Sequence, residues 1–131
     1  MRSSRANTGK DQELVDLESL AFGFGVDMLG LAQRLKGQVP DPVSNALAEH
    51  GANIGANVLE AHASPSSQLQ SYAAARQSAR QATYWLRLVH ESGAAKSVKL
   101  DALIKAATDL TAALKTASSR ARQKAETAKF R

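Results

Sequence analysis

Apolar residues recur alternately three and four positions apart in four separate stretches of the sequence. This is the spacing of one helical face, and it predicts four amphipathic helices. They are expected at about residues 11–37, 42–62, 65–92 and 97–127, separated by short segments, with proline or glycine at or next to each helix boundary. The pattern is clearest in helix one, where the residues are Leu14, Leu17, Ala21, Phe24, Met28, Leu31 and Leu35. The other three helices each have a predicted inward apolar face. These faces are Leu47, Gly51, Ile54, Val58 and Ala61 in helix two, Tyr72, Ala75, Ala79, Ala82, Leu86 and Val89 in helix three, and Leu100, Leu103, Ala107, Leu110, Leu114, Ala117 and Ala121 in helix four.

The composition of the sequence also favours an all-α protein. The sequence has no run of alternating Val, Ile and Thr that would indicate a strand. Its 131 residues are enough for one domain, expected over 11–131, while residues 1–10 are predicted to form a disordered basic tail. Ser97 is a candidate cap for helix four. Because the connections are short, we expect antiparallel neighbours in an up-down-up-down four-helix bundle.

Cysteine is absent, so disulfides and thiolate metal sites are excluded. The first ten residues lack the apolar stretch of a secretory signal. No apolar run reaches the ~20 residues that cross a bilayer. We therefore expect a cytoplasmic protein with no membrane partner.

Helix one carries a second apolar stripe beside the first. Covering that stripe requires either a partner subunit or the N-terminal tail, and a partner subunit is favoured. Trp85 lies at the edge of the core face of helix three and is assigned to the same kind of surface. The predicted oligomer interface is Val15, Phe22, Val26, Leu29 and Trp85.

Helix two contains a repeated unit, Gly-Ala-Asn followed by Ile or Val, at residues 51–58. Gly51 and Gly55 each cost a helix ~1 kcal/mol relative to alanine, which indicates that another helix passes close by. Polar residues lie on either side of the apolar face of this helix. They are predicted to form a hydrogen-bonded seam between helices, with a functional site as the alternative. These residues are His50, Asn53, Asn57 and Glu60.

Charge is unevenly distributed along the chain. Residues 1–62 hold five Lys/Arg and eight Asp/Glu, a net charge of −3, whereas residues 63–131 hold twelve and four, a net charge of +8. Basic residues form stripes on helices three and four that can follow the phosphates of RNA or DNA. They can equally pair with acidic residues of helix one, or of a protein partner. The predicted nucleic-acid-binding residues are Arg76, Arg80, Arg87, Lys115, Arg122 and Lys129.

No motif in the sequence suggests catalysis or a bound cofactor. The three histidines, His50, His62 and His90, form neither the Glu-x-x-His pairs of di-iron bundles nor a zinc helix. There is no activated serine arrangement and no phosphate-binding glycine loop. We predict no enzyme activity, no metal and no cofactor. No stacking aromatic cluster is evident near the basic stripes, so sequence-specific RNA recognition is not expected.

Residues 47–61, LAEHGANIGANVLEA, resemble the helix-two signature of the bacterial four-helix-bundle family of 23S rRNA intervening-sequence proteins. That signature ends in Ser-Ile-x-x-Asn-Ile-Ala-Glu-Gly. Asn57 and Glu60 match its Asn and Glu, and Ile54 and Val58 match its apolar positions. The chain departs from the signature where the family has an Arg pair, a Ser and a final Gly. These positions hold Ala48, Glu49, Asn53 and Ala61.

Residues 75–93, ARQSARQATYWLRLVHESG, resemble the helix-three motif of the same family. The matching residues are Ala75, Ser78, Leu86 and Gly93. Gln77, Gln81 and Thr83 stand where the family has a Gly and two Glu. The chain is therefore identified as a divergent member.

The resemblance implies a homopentamer of four-helix bundles arranged as a ring, with no known enzyme activity. Some members are encoded within insertions in 23S rRNA genes. A similar protein is the accessory protein of diversity-generating retroelements, a basic pentamer associated with a reverse transcriptase and nucleic acid. Two functions stay open: non-specific binding of RNA or DNA, and a protein-interaction scaffold or accessory subunit without nucleic-acid binding.

Overall fold

The structure is a computed structural model that describes residues 2–96 and 98–129, with the side chains of 2–8, 10 and 11 left aside. In this part of the chain there are four α-helices, one 3₁₀ turn and no strand. The helices are α1 (Arg2–Leu35), α2 (Asp41–Ala63), α3 (Gln68–Ser92) and α4 (Asp101–Lys129). Among the described residues, no helix combines the length and the apolar character needed to cross a membrane.

Three helix starts differ from the prediction, those of α1, α3 and α4. Helix α1 begins at Arg2, so residues 2–10, predicted as a disordered tail, continue this helix. The segment contains no proline, and extending an existing helix avoids the cost of nucleation. Helix α4 begins at Asp101 rather than near residue 97. A turn in which Val98 N–H donates to the Ala95 carbonyl (3.0 Å) precedes it, and the proposed cap, Ser97, lies outside the described residues.

The other helix ends follow the proline and glycine positions. Pro42 lies in the first turn of α2. Pro65 opens a 3₁₀ turn, Pro65–Ser67, so α3 becomes α-helical at Gln68 instead of residue 65. Gly93 ends α3 in the left-handed conformation, with φ of 72°, which residues with a Cβ rarely adopt.

The predicted apolar faces form the core. Along α1 the buried face runs from Leu17 to Leu35, whereas Leu14 remains exposed. The α4 face is buried apart from Leu103 and Ala117, which are half-buried. The buried apolar residues of α2 and α3, all on the predicted faces, are Leu47, Ile54, Val58, Ala61, Tyr72, Ala75, Ala79, Ala82, Leu86 and Val89.

The helices pack mainly against their neighbours in sequence. α1 packs on α2, α2 on α3 and α3 on α4, whereas α1 contacts α4 only weakly and the described backbones of α1 and α3 stay apart. An open groove of about 1040 Å³ separates α1 from α4. On its wall the Arg120 Nη1 donates to the Glu13 Oε2 at 2.6 Å.

Glycine allows α1 and α2 to approach closely, as predicted from the repeat in helix two. A Cβ built on Gly25 of α1 would lie 3.2 Å from the Gly51 carbonyl oxygen. A Cβ on Gly51 would lie 2.5 Å from the Met28 Cβ. Gly55 faces the backbone of Ala21 at the more ordinary distance of 3.7 Å.

Candidate nucleic-acid interface

A groove of about 1010 Å³ runs between α3 and α4, and it brings together half of the predicted nucleic-acid-binding residues. The α3 wall carries Arg76 and Arg80, and the α4 wall carries Arg122. We call it the α3–α4 groove. Its lining residues are Ser66, Leu69, Gln70, Ala73, Arg76, Gln77, Arg80, Gln81, Tyr84, Trp85, Ser118 and Arg122.

Helical spacing explains the α3 wall. Arg76, Arg80 and Tyr84 are each four residues apart, so they form one row with steps of about 6 Å along the helix. Gln77, Gln81 and Trp85 form the adjacent row. The two rows together present cationic, amide and aromatic groups to the same groove.

The groove is cationic and is not neutralised by nearby carboxylates. None of its lining residues is Asp or Glu. Among the described side chains, no carboxylate lies within ion-pair distance of Arg76, Arg80 or Arg122. The Arg76 Nε and the Ser118 Oγ are buried, and neither has a hydrogen-bond partner in the described part of the chain. The groove therefore has both charge and hydrogen-bonding capacity that the protein leaves unused.

Other basic residues do have acidic partners. The Arg87 Nη2 donates to the Glu91 Oε1 at 3.3 Å, and the Lys105 Nζ donates to the Asp109 Oδ2 at 2.9 Å. The Asp109 carboxylate raises the pKa of Lys105, through the hydrogen bond first and through its charge second. Pairing between Arg120 and Glu13 shows that the acidic first helix neutralises part of the basic half, which was the alternative interpretation of the stripes.

The groove does not include the remaining predicted residues Arg87, Lys115 and Lys129, all of which are exposed. The α4 stripe repeats every seven residues, which corresponds to about 10 Å along the helix. Of the three predicted α4 residues, Arg122 alone lies at the height along the bundle where it lines the groove with Arg76 and Arg80. A helical wheel gives the direction of each side chain but not its height relative to another helix.

The four polar residues of helix two were predicted to form a hydrogen-bonded seam between helices. Among the described residues, the hydrogen bond that they make lies within α2. The Asn57 Nδ2 donates to the Asn53 carbonyl at 2.9 Å, within α2. His50 is half-buried with its Nδ1 unpaired among the described residues, and Glu60 is exposed. The residue of α2 that does contact α1 through a polar group is His62, two positions after Glu60.

The polar contact between α1 and α2 is made by His62 and Glu18. The His62 Nδ1 lies 2.7 Å from the Glu18 Oε2, and the His62 side chain is only 9 % exposed. Its ring meets Tyr72 of α3 edge-on, with centroids 5.6 Å apart. Sequence reasoning missed this cluster, although Glu18 and His62 each adjoin a buried residue of the predicted faces, Leu17 and Ala61.

The predicted oligomer surface divides into two places. Val15, Phe22, Val26 and Leu29 form an exposed apolar face on α1, and Phe22 is 71 % exposed. Trp85 instead lines the α3–α4 groove, half-buried. Trp85 thus lies on the α4 side of α3, apart from the α1 face, and its place in an oligomer interface stays a prediction.

No group of three or more His, Asp or Glu side chains converges in a metal-binding arrangement within the described residues. The α3–α4 groove presents arginine, amide and aromatic groups, which are able to bind anionic or aromatic ligands.

Comparison with known proteins gives the fold. No protein-family model and no curated protein sequence matches the chain. Its structure is similar to the crystal structure of a protein of unknown function from the S23 ribosomal protein family of Bacteroides thetaiotaomicron, with a TM-score of 0.72 and 19 % sequence identity. The alignment covers 82 % of this chain and 98 % of that one. The two proteins therefore share a fold.

Proposed function

We propose that this protein is a non-enzymatic, oligomeric four-helix bundle that binds RNA or DNA without sequence preference through the α3–α4 groove. The observation that carries the proposal is the convergence of Arg76, Arg80 and Arg122 in one groove, whose lining among the described residues contains no carboxylate. Guanidinium groups bind phosphate through paired hydrogen bonds, and each phosphate they neutralise releases counterions.

We further propose that the chain is a divergent member of the 23S rRNA intervening-sequence family and assembles as a homopentamer of antiparallel bundles. The resemblance in helices two and three and the shared fold support the family assignment. The contacts of Gly51 with Met28 and of Gly55 with Ala21 run in opposite chain directions, which favours an antiparallel α1–α2 pair. The exposed apolar face of α1 supports assembly, because a subunit contact would remove it from water.

A salt series tests the binding function. Fluorescence anisotropy of labelled RNA and DNA oligonucleotides would give the dissociation constant at each salt concentration. Three phosphate contacts predict that affinity falls about 20- to 40-fold between about 50 and 200 mM salt for one groove. An absence of binding at low salt, or an affinity that is indifferent to salt, would exclude the proposal.

Two variants with the same change in charge locate the binding surface. The groove variant combines Arg76→Gln, Arg80→Gln and Arg122→Gln. The control combines Arg87→Gln, Lys115→Gln and Lys129→Gln, which lie outside the groove. We expect the groove variant to lose most of the affinity and the control to lose much less. Equal losses would show that net charge alone attracts the nucleic acid.

The alternative function is a protein-interaction scaffold or accessory subunit that binds no nucleic acid. Its specific support is the exposed α1 face together with the pairing of Arg120 with Glu13. Under this alternative the groove variant loses an acidic protein partner or its assembly, and the wild-type protein binds no oligonucleotide. Loss of oligonucleotide binding with assembly intact favours the nucleic-acid function.

A further inference from the structure

One end of the α3–α4 groove is aromatic, which corrects the expectation from the sequence that no stacking aromatic cluster lies near the basic stripes. Tyr84 and Trp85 are consecutive in sequence and pack edge to face, with ring centroids 5.7 Å apart and an interplanar angle of 84°. Trp85 packs against the core, whereas the Tyr84 side of the pair is open, since Tyr84 is 61 % exposed. Packing of Trp85 against the core thus holds the aromatic pair in place, while the Tyr84 ring stays accessible to solvent.

We infer that the ligand of the groove is a single-stranded nucleic acid, with an unpaired base stacked on Tyr84 and the adjacent phosphates bound by Arg80, Arg76 and Arg122. This inference rests on the proposed function. A positively charged groove that is continuous with exposed aromatic rings is the arrangement by which proteins bind single strands without reading their sequence.

The geometry disfavours a duplex as the ligand. In a duplex the faces of the bases are covered by stacking on one another, so an aromatic side chain reaches them only after a base is displaced. An exposed tyrosine ring therefore adds affinity for a strand whose bases are already free. Tyr84 follows Arg80 at the same spacing by which Arg80 follows Arg76, so one strand can contact phosphate and base sites in order along α3.

The two glutamines of the adjacent row complete the site. Gln77 and Gln81 lie between the arginines and Trp85 in the groove lining. Each amide offers two donors and one acceptor group, which can pair with base edges or with sugar hydroxyls. Neither stacking nor phosphate contact requires the 2′-hydroxyl, so single-stranded RNA and single-stranded DNA are both expected to bind.

The test compares labelled single-stranded RNA, single-stranded DNA and blunt duplex DNA of equal length with the full chain. We expect both single strands to bind more tightly than the duplex. Tyr84→Ala should weaken single-strand affinity about 5- to 150-fold and leave duplex affinity unchanged, since stacking contributes 1–3 kcal/mol per base. Tyr84→Phe keeps the ring and should keep the binding. Leu88→Ala, an exposed residue of the same helix outside the groove, is the matched control.

Trp85 gives an independent readout because it is the single tryptophan of the chain. Stacking beside it should quench its fluorescence on addition of unlabelled single strands, and the duplex should leave it unchanged. Duplex binding as tight as single-strand binding, or no effect of Tyr84→Ala on single strands, would overturn the inference while the proposed function stands. If no oligonucleotide binds at low salt, both fail.

Discussion

Gly51 of α2 faces Met28 of α1 with no space for a side chain between them. A Cβ at position 51 would lie 2.5 Å from the Met28 Cβ and 2.9 Å from its Cγ. Gly55 occupies the corresponding position of the next repeat unit, and the nearest atoms to a Cβ there are backbone atoms of Ala21 at 3.7 Å and of Phe22 at 3.8 Å. The two glycines of the repeat thus have different roles.

Gly51→Ala is expected to lower the free energy of unfolding by about 2 kcal/mol. Overpacking costs up to about 3 kcal/mol and the gain in helix propensity returns about 1 kcal/mol. The Met28 Cβ belongs to a fully buried residue and cannot rotate away. Gly55→Ala, the matched control, should raise stability by up to about 1 kcal/mol. Urea unfolding followed by circular dichroism at one protein concentration measures the free energy of unfolding of both variants. A Gly51→Ala variant as stable as the wild type would contradict the close approach of α1 and α2.

Breaking the contact between His62 and Glu18 is expected to weaken α1–α2 packing. A double-mutant cycle with His62→Ala and Glu18→Ala should give a coupling of about 0.5–1 kcal/mol, the lower part of the range for a hydrogen bond, because Glu18 is still partly exposed to solvent. The exposed pair Arg87 and Glu91 serves as control and should couple by less than about 0.5 kcal/mol. Equal coupling in the two cycles would contradict a special role for His62.

Stability is expected to fall at alkaline pH through Tyr72. Burial raises the pKa of Tyr72 above its usual 10.0, and the charge of Glu18 raises it further. The folded protein therefore keeps a proton that the unfolded chain releases. This contribution is complete below pH 10.0 and is lost as the pH rises through the folded-state pKa. In urea unfolding, the Tyr72→Phe variant should show a smaller decrease in the free energy of unfolding at alkaline pH than the wild type. An unchanged decrease would show that other groups cause it.

The proposed oligomer is expected to dissociate when the α1 face receives a charge. Phe22→Glu places a carboxylate in the centre of the exposed apolar face and should shift the mass measured by light scattering toward that of a monomer, without loss of helix content. Leu88→Glu adds the same charge to an exposed apolar residue of α3 and should leave the mass unchanged. A monomeric wild-type protein would rule out the pentamer.

The sequence predicted the buried faces well because burial of a helix depends on the local three-and-four spacing. Leu47, Ile54 and Val58 are buried as expected. Local sequence was less informative about where a helix starts, since residues 2–10 and the turn before Asp101 depend on the elements they join.

The candidate site could be predicted only in part. The four-residue spacing predicted that Arg76 and Arg80 share one face of α3. Their proximity to Arg122 depends on how far α4 is shifted along its axis relative to α3, which the spacing does not give. The helical position of Trp85 alone did not show that its side chain faces α4 in the groove, and its assignment to an oligomer interface stays a prediction. The link between Glu18 and His62 spans 44 positions, which no local pattern reveals.

The weak packing between α1 and α4 affects how the chain can reach its native state. The three extensive helix contacts join elements that follow one another, so each pair can form through closure of a short loop. Only the closing of α4 onto α1 brings distant parts of the chain together, and it gains little packing. A topology of this kind favours rapid folding by successive hairpins, and it leaves each terminal helix held by one extensive contact.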